Sequence, residues 1–256
     1  MRHTADIENF IDYPLYTKTL SELPFKSSLL VNTINQYSFC MANEDMGFKK
    51  SLQMSDVLLP DGISVVAAEY LMNGKIIKKI SGADLHQHLL NDLESKGGSC
   101  FYLGASDETL NQIKAKMSVE YPHVKVGSYS PPFKKVFTAT ENQEMIQEIN
   151  KFQPDVLFIG MTAPKQEKWA YENKDKIKAK IICTVGAVFD FYAGTVKRPS
   201  NLMISLGLEW LGRLINEPNR LWRRYLLYGP IFIWLIAKER IKKSIFKKPR
   251  TQSITH

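Results

Sequence analysis

Cysteine is scarce in this sequence, with only Cys40, Cys100 and Cys183 in 256 residues, widely spaced and each in an apolar stretch. An odd, scattered set argues against a disulfide framework and a structural zinc site, and fits reduced thiols. The first 27 residues carry Asp6, Glu8, Asp12 and Glu22 with no uninterrupted apolar run. No secretory signal or amino-terminal span is therefore expected, and a cytoplasmic location is. Neither a G-x-G-x-x-G fingerprint nor a nucleotide P-loop occurs, which disfavours a nicotinamide enzyme or an ATPase. The absence of any Asp-x-Asp pair weakens a scheme in which paired carboxylates hold a divalent ion on a diphosphate. No metal and no organic cofactor is expected. His86 and His88, two apart on a predicted helix, point in different directions and read as surface residues rather than metal ligands.

What is present is enough apolar residue, 44% of the chain, for one α/β core plus an appendage. Short β-rich runs at Ser28 to Thr33, Cys100 to Leu103, Val124 to Val126, Val156 to Ile159 and Ile181 to Val185 predict strands. Helical patterns at Ile63 to Met72, Asp84 to Glu94, Glu108 to Glu120, Lys165 to Lys178 and from Leu206 onward fill the gaps. This alternation predicts an α/β fold, a Rossmann-like, mostly parallel sheet flanked by helices. The expected division is a core over residues 1–200 and a basic, helical C-terminal appendage over residues 201–256. Charge follows that division. The appendage holds 11 Lys and Arg against 3 Asp and Glu, whereas residues 1–200 hold 23 of each, so the net charge of +8 lies entirely in the tail.

Predicted strands end at Gly104, Gly160 and Gly186, and the first two lead into helix starts near Ser106 and Pro164. In open α/β sheets a ligand crevice lies beyond such strand ends, where backbone N–H groups favour phosphate. A glycine that only turns the chain gives the same pattern. Leu58-Leu59-Pro60-Asp61-Gly62-Ile63 sets a carboxylate on a tight turn between an apolar run and a helix, although Pro-Asp-Gly is also an ordinary turn sequence. Thr33 and Asn35 close a strand with polar side chains. Gly160 to Trp169 joins a strand end to a polar first helical turn, in which Gln166 is able both to donate and to accept. Gly186 to Gly194 brackets Phe189 and Phe191 with small residues and reads equally as core packing. The most specific block runs from Gly207 through Leu208-Glu209-Trp210-Leu211-Gly212-Arg213-Leu214-Ile215-Asn216-Glu217-Pro218-Asn219 to Arg220, followed by Trp222, Arg223 and Arg224.

Together these blocks resemble the WecG/TagA/CpsF glycosyltransferases, glycosyltransferase family 26, with a PDG-like turn, a PKQE-like block and a GLEWLxRLxxEPxR-like ending. The likeness covers about Ser28 to Tyr225. It implies an inverting enzyme that moves a sugar, of N-acetylmannosamine, N-acetylmannosaminuronate or glucose type, from a UDP-sugar onto a polyprenyl-diphosphate-linked acceptor in cell-surface polysaccharide assembly. It also implies that Asp61 is the catalytic base, taking the proton of the attacking hydroxyl, and that Thr33, Asn35 and Gln166 line the substrate pocket. Where relatives often carry arginine, this chain has Lys79, which keeps the charge without the bidentate phosphate geometry. Without a metal, the departing diphosphate needs other cations. Arg213, Arg220 and Arg224 are the candidates, seven and four residues apart and near one helical face if Pro218 leaves the register intact.

From Tyr225 to Ala237 the tail has 13 residues without charge, against the roughly 20 that span a bilayer. Gly229-Pro230 is expected to interrupt the run. Arg223 and Arg224 before it, and Lys238, Arg240, Lys242, Lys243, Lys247, Lys248 and Arg250 after it, suit anionic headgroups, so the tail reads as a peripheral anchor on the inner membrane face. A buried core helix explains the apolar run but not its flanking charge. Basic residues that flank an apolar run, instead of interleaving with aromatics, speak against nucleic acid. The alternative reading is a non-catalytic protein that binds a sugar nucleotide or an anionic surface. A homo-oligomer is compatible with everything above.

Overall fold

The computed structural model describes residues 7–23, 28–197 and 199–246. Lys247, Lys248 and Arg250 of the basic tail lie outside the described residues. Eight strands form one sheet: β1 (Ile7–Phe10), β2 (Tyr13–Tyr16), β3 (Leu29–Ile34), β4 (Val57–Pro60), β5 (Ser99–Gly104), β6 (Lys125–Tyr129), β7 (Val156–Gly160) and β8 (Ile181–Thr184). Their spatial order is β1-β2-β4-β3-β8-β7-β5-β6. Only the β1–β2 hairpin is antiparallel; the other pairs run parallel. β4 and β8 are buried along their whole length, as strands covered on both faces must be.

Alternate residues of each strand feed opposite faces. On one face Val31, Val57, Tyr102, Phe158 and Cys183 meet α4 (Gly82–Lys96), α5 (Asp107–Glu120) and α8 (Val188–Ala193). The other face is divided. Under β5, β7 and β8 lie α6 (Ala139–Phe152) and α7 (Lys165–Asn173). Under the β1–β4 half lie α1 (Gln36–Glu44), α2 (Met46–Gln53), α3 (Ile63–Asn73) and the last helix, α12 (Tyr228–Phe246). Helix starts are locally encoded: Ser81 with Asp84, and Thr138 with Glu141, form reciprocal capping boxes, while Ser106 caps α5, each satisfying backbone donors that a helix leaves open. Left-handed Gly74 and Gly97 end α3 and α4, a conformation glycine adopts at little steric cost.

Between α8 and α12 the chain forms α9 (Asn201–Ser205), α10 (Glu209–Asn216), α11 (Pro218–Trp222) and a π-helical turn over Arg223–Leu227. α12 docks through Phe232 and Ile236, both buried, with Phe232 edge-on to Phe39 of α1. Each such side chain contributes about 1.5–3 kcal/mol of apolar burial.

Three local expectations are corrected. Gly229-Pro230 does not interrupt the last helix, because Pro230 falls in its first turn, directly after a π turn where the regular hydrogen-bond ladder is already shifted. The helix expected to reach Lys178 ends at Asn173 and passes into a short 3-10 turn, Lys174–Lys176. His86 is buried against Phe158, its Nε2 2.8 Å from the Tyr102 hydroxyl. Burial pushes its pKa down to about 3, so a neutral core imidazole replaces the expected surface residue. All three cysteines are free and buried.

Candidate active site

A cavity of about 1240 Å³ runs along the carboxyl ends of the parallel strands. Its floor is shaped by glycine. A Cβ on Gly104 would come within 2.4 Å of the Gly160 carbonyl oxygen, and one on Gly160 within 2.5 Å of the Phe189 ring. These strand ends therefore close on one another with no room for a side chain.

Asp61 sits where β4 gives way to α3. Its backbone N–H donates to the Ile34 carbonyl at 2.8 Å, which extends the β3–β4 pairing by one residue. Gly62 then takes φ 111°, a conformation that side-chain-bearing residues rarely adopt, and turns the chain into the helix. The Asp61 carboxyl lines the cavity. Its pKa is pushed up to about 6, first by burial and then by the neighbouring Glu209 carboxylate, while Lys79, Arg213 and Arg224 pull the other way. Desolvation thus outweighs three cations. A carboxylate that titrates near neutrality is suited to accepting a proton from a sugar hydroxyl.

The opposite wall comes from the tail, whose Glu209, Arg213, Arg220 and Arg224 all line the cavity. The three arginines converge although the single-face condition fails. Pro218 opens a new helix, so Arg213 lies on α10, Arg220 on α11 and Arg224 in the π turn. The Arg213 guanidinium lies over the Phe191 ring at 5.1 Å, and its Nε is buried without a hydrogen-bond partner. Arg224 lies over Tyr37 at 5.0 Å, and burial holds its pKa below the usual arginine range. Arg220 is already paired, with Glu217 at 2.8 Å and Asp190 at 3.9 Å.

Among the other sequence candidates, Gln166 is buried in the cavity wall, where its Oε1 accepts from the Met161 N–H at 3.0 Å and its Nε2 donates to Glu167 Oε1 at 2.8 Å. Thr33 lines the cavity. Asn35 does so too, but its side-chain oxygen caps α1, accepting from the N–H groups of Tyr37 and Ser38 at 3.1 Å each. Lys79 stands behind the wall, in an ion pair of 2.5 Å with Glu209. Among the described residues, no three His, Cys, Asp or Glu side chains are grouped as a metal site.

Four cavity residues were not singled out from the sequence: Glu209, Glu167, Asp190 and Tyr37. The first three sit inside the quoted blocks, beside residues that were. Glu167 is buried, burial pushes its pKa up to about 7, and its Oε2 has no hydrogen-bond partner. A carboxylate in the middle of a polar block was the available signal, and it is weak without the fold.

The family model described as glycosyl transferase, WecG/TagA/CpsF family, matches residues 11–245. The chain is 30% identical, over 96% of its length and 92% of the relative's, to the N-acetylglucosaminyldiphosphoundecaprenol N-acetyl-beta-D-mannosaminyltransferase of Bacillus subtilis. It is 27% identical to the protein of the same name from Bacillus spizizenii, over 88% of this chain and 92% of that one. A third protein of that name, from Staphylococcus aureus, is 26% identical over 85% of this chain and 84% of its own.

Proposed function

The chain belongs to the WecG/TagA/CpsF family of glycosyl transferases, and from that premise we propose that it transfers N-acetylmannosamine from a UDP-sugar to a polyprenyl-diphosphate-linked N-acetylglucosamine. The acceptor and sugar follow the names of its relatives; the cationic wall supports a diphosphate-linked donor, and the family resemblance implies that its nucleoside is uridine. The observation that carries the reading is the opposition of one carboxylate, Asp61, to Arg213 and Arg224 across a single cavity.

In this scheme the acceptor hydroxyl attacks the anomeric carbon while its proton passes to Asp61. The new C–O bond forms as the bond to the diphosphate oxygen breaks, and that oxygen leaves with the electron pair. Attack opposite the leaving group inverts the anomeric centre. With a pKa of about 6, Asp61 is about nine-tenths ionised at neutral pH, so the base is ready without a partner imidazole. Charge developing on the diphosphate meets Arg213 and Arg224, which are held in a protein-lined site where such interactions gain strength. Gln166, its amide orientation fixed by Met161 and Glu167, turns its remaining N–H toward the donor. Thr33 and Lys79 complete the polar surround, Lys79 by holding Glu209. Residues 201–256 act as an appendage, helical over much of its described part, that contributes the cations and rests peripherally on the membrane.

The test is transfer of radiolabel from UDP-N-acetylmannosamine to an N-acetylglucosamine diphosphate on a short polyprenol. Labelled disaccharide-lipid and free UDP are expected from the parent, and none above background from Asp61→Asn. Absence of transfer across a panel of UDP-sugars, or equal rates for parent and Asp61→Asn, would overturn it.

A further inference from the structure

α3 is apolar on both sides, with Val65, Ala68 and Met72 packed into the core. Its sequence, Ile-Ser-Val-Val-Ala-Ala-Glu-Tyr-Leu-Met-Asn, holds one charged residue, Glu69. That carboxylate is fully buried, accepting from the Asn73 amide at 2.7 Å. The outward stripe is Ile63, Ala67, Tyr70 and Leu71, spaced as one helical face, and it carries no charge. Ile76, 87% exposed, continues it past the end of the helix. α5, on the opposite face of the sheet, is the contrast: it turns Glu108, Gln112, Lys114, Lys116 and Glu120 to water, as a solvated helix should.

The stripe is continuous with the tail. A Cβ on Gly207, in the turn before α10, would lie 3.7 Å from Ile63 Cγ1. At the other end, Arg240 and Lys243 of α12 donate to the Met72 carbonyl at 3.3 and 2.9 Å. α12 likewise has apolar side chains on both sides, with Phe232 and Ile236 inward and Ile233 and Trp234 outward. Exposed Trp210, Trp222, Trp234 and Tyr70 are the amphipathic rings that favour a membrane–water boundary. Lys75 and Lys78 edge the α3 side, and Lys238 sits over the Trp234 ring, a basic rim matched to anionic headgroups.

We infer that α3, a helix of the α/β core, is part of the face that lies in an anionic lipid bilayer, so that core and tail dock together as one surface. The inference builds on the lipid-linked acceptor proposed above. Asp61 stands two residues before α3, so a helix resting at the interface sets the depth of that carboxylate relative to headgroups.

The experiment measures co-sedimentation of the full chain with vesicles of phosphatidylglycerol and phosphatidylcholine. Its variants are the pair Tyr70→Glu with Leu71→Glu, the pair Tyr70→Lys with Leu71→Lys, the single Ala67→Lys, and Val119→Glu on α5. The Glu pair is expected to lower partitioning about tenfold and the Lys changes about threefold, because both oppose apolar insertion, while Val119→Glu binds like the parent. Parent-like binding by the Glu pair, or equal or tighter binding by the Lys variants, overturns the inference, since the latter would mean that charge alone steers the contact. Turnover of a short-chain, water-soluble acceptor without vesicles is expected to be unchanged in the α3 variants. A parent inactive on that acceptor counts against the proposed reaction and leaves the vesicle result standing.

Discussion

The two walls of the cavity are made by different means. The strand-end wall is set by buried parallel strands, capped helices and glycines with no space to spare. The tail wall has little interior of its own: Gly212 is the one buried residue of α10 and Leu221 the one buried residue of α11, with Phe232 and Ile236 pinning α12. The proposed base stands on the first wall and the proposed diphosphate cations on the second. Rigidity goes to the group that needs an accurate position, and weak attachment to the groups that have to admit and release a bulky, charged molecule.

The largest expected effect separates the walls at the base. Asp61→Asn should lower turnover by about 10² to 10⁴ while raising thermal stability at pH 8. The folded protein holds the Asp61 proton up to about pH 6, the unfolded chain only to about pH 4. Between these values the folded state binds more protons, so stability falls as pH rises, and above pH 6 the full penalty is present. The stability gain of the variant should therefore vanish near pH 4. Parent turnover should climb through pH 6 as the base ionises. A parent rate flat from pH 5 to 8 would break the assignment.

Next in size, Phe232→Ala should cost about 3 kcal/mol, confined to the tail. Hydrogen exchange is expected to speed up in α12 and α1 while β5, β7 and β8 keep their protection; uniform loss would mean that the walls are one cooperative unit. Arg213→Ala should lower turnover about a hundredfold with little change in melting temperature, and Arg213→Lys should restore part of it. The smallest effect tests Asn35, a site candidate whose oxygen is committed to a helix cap. Asn35→Ala should cost about 1 kcal/mol of stability, and Asn35→Asp should recover most of that; loss of substrate affinity in both would show a role beyond the cap.

Strands with strong β-branched or aromatic runs, such as Val156–Gly160 and Ile181–Thr184, were legible because periodicity is a local property. β1 and β2 were not, since four-residue strands with proline and mixed polarity carry too little pattern. α1 was hidden because its start signal, Asn35, has the same residue type as a ligand-facing strand end, and its composition is nearly neutral in hydropathy. Asp61, Gln166 and the arginines were readable through their blocks, whereas Glu209 and Glu167 matter through neighbours distant in sequence. The partner of His86, Tyr102, lies on another element, so no helical pattern could place that imidazole inside.

The π turn at Arg223–Leu227 sets the angular phase of everything after it. Each helical residue advances the chain by about 100°, so a one-residue deletion there would swing Phe232 and Ile236 away from α1 and bring other side chains toward it. A substitution alters one contact, but a change of length rewrites them all. This segment should therefore tolerate exchange of residues far better than insertion or loss, and tail grafts between relatives should work only when the residue count across the turn is preserved.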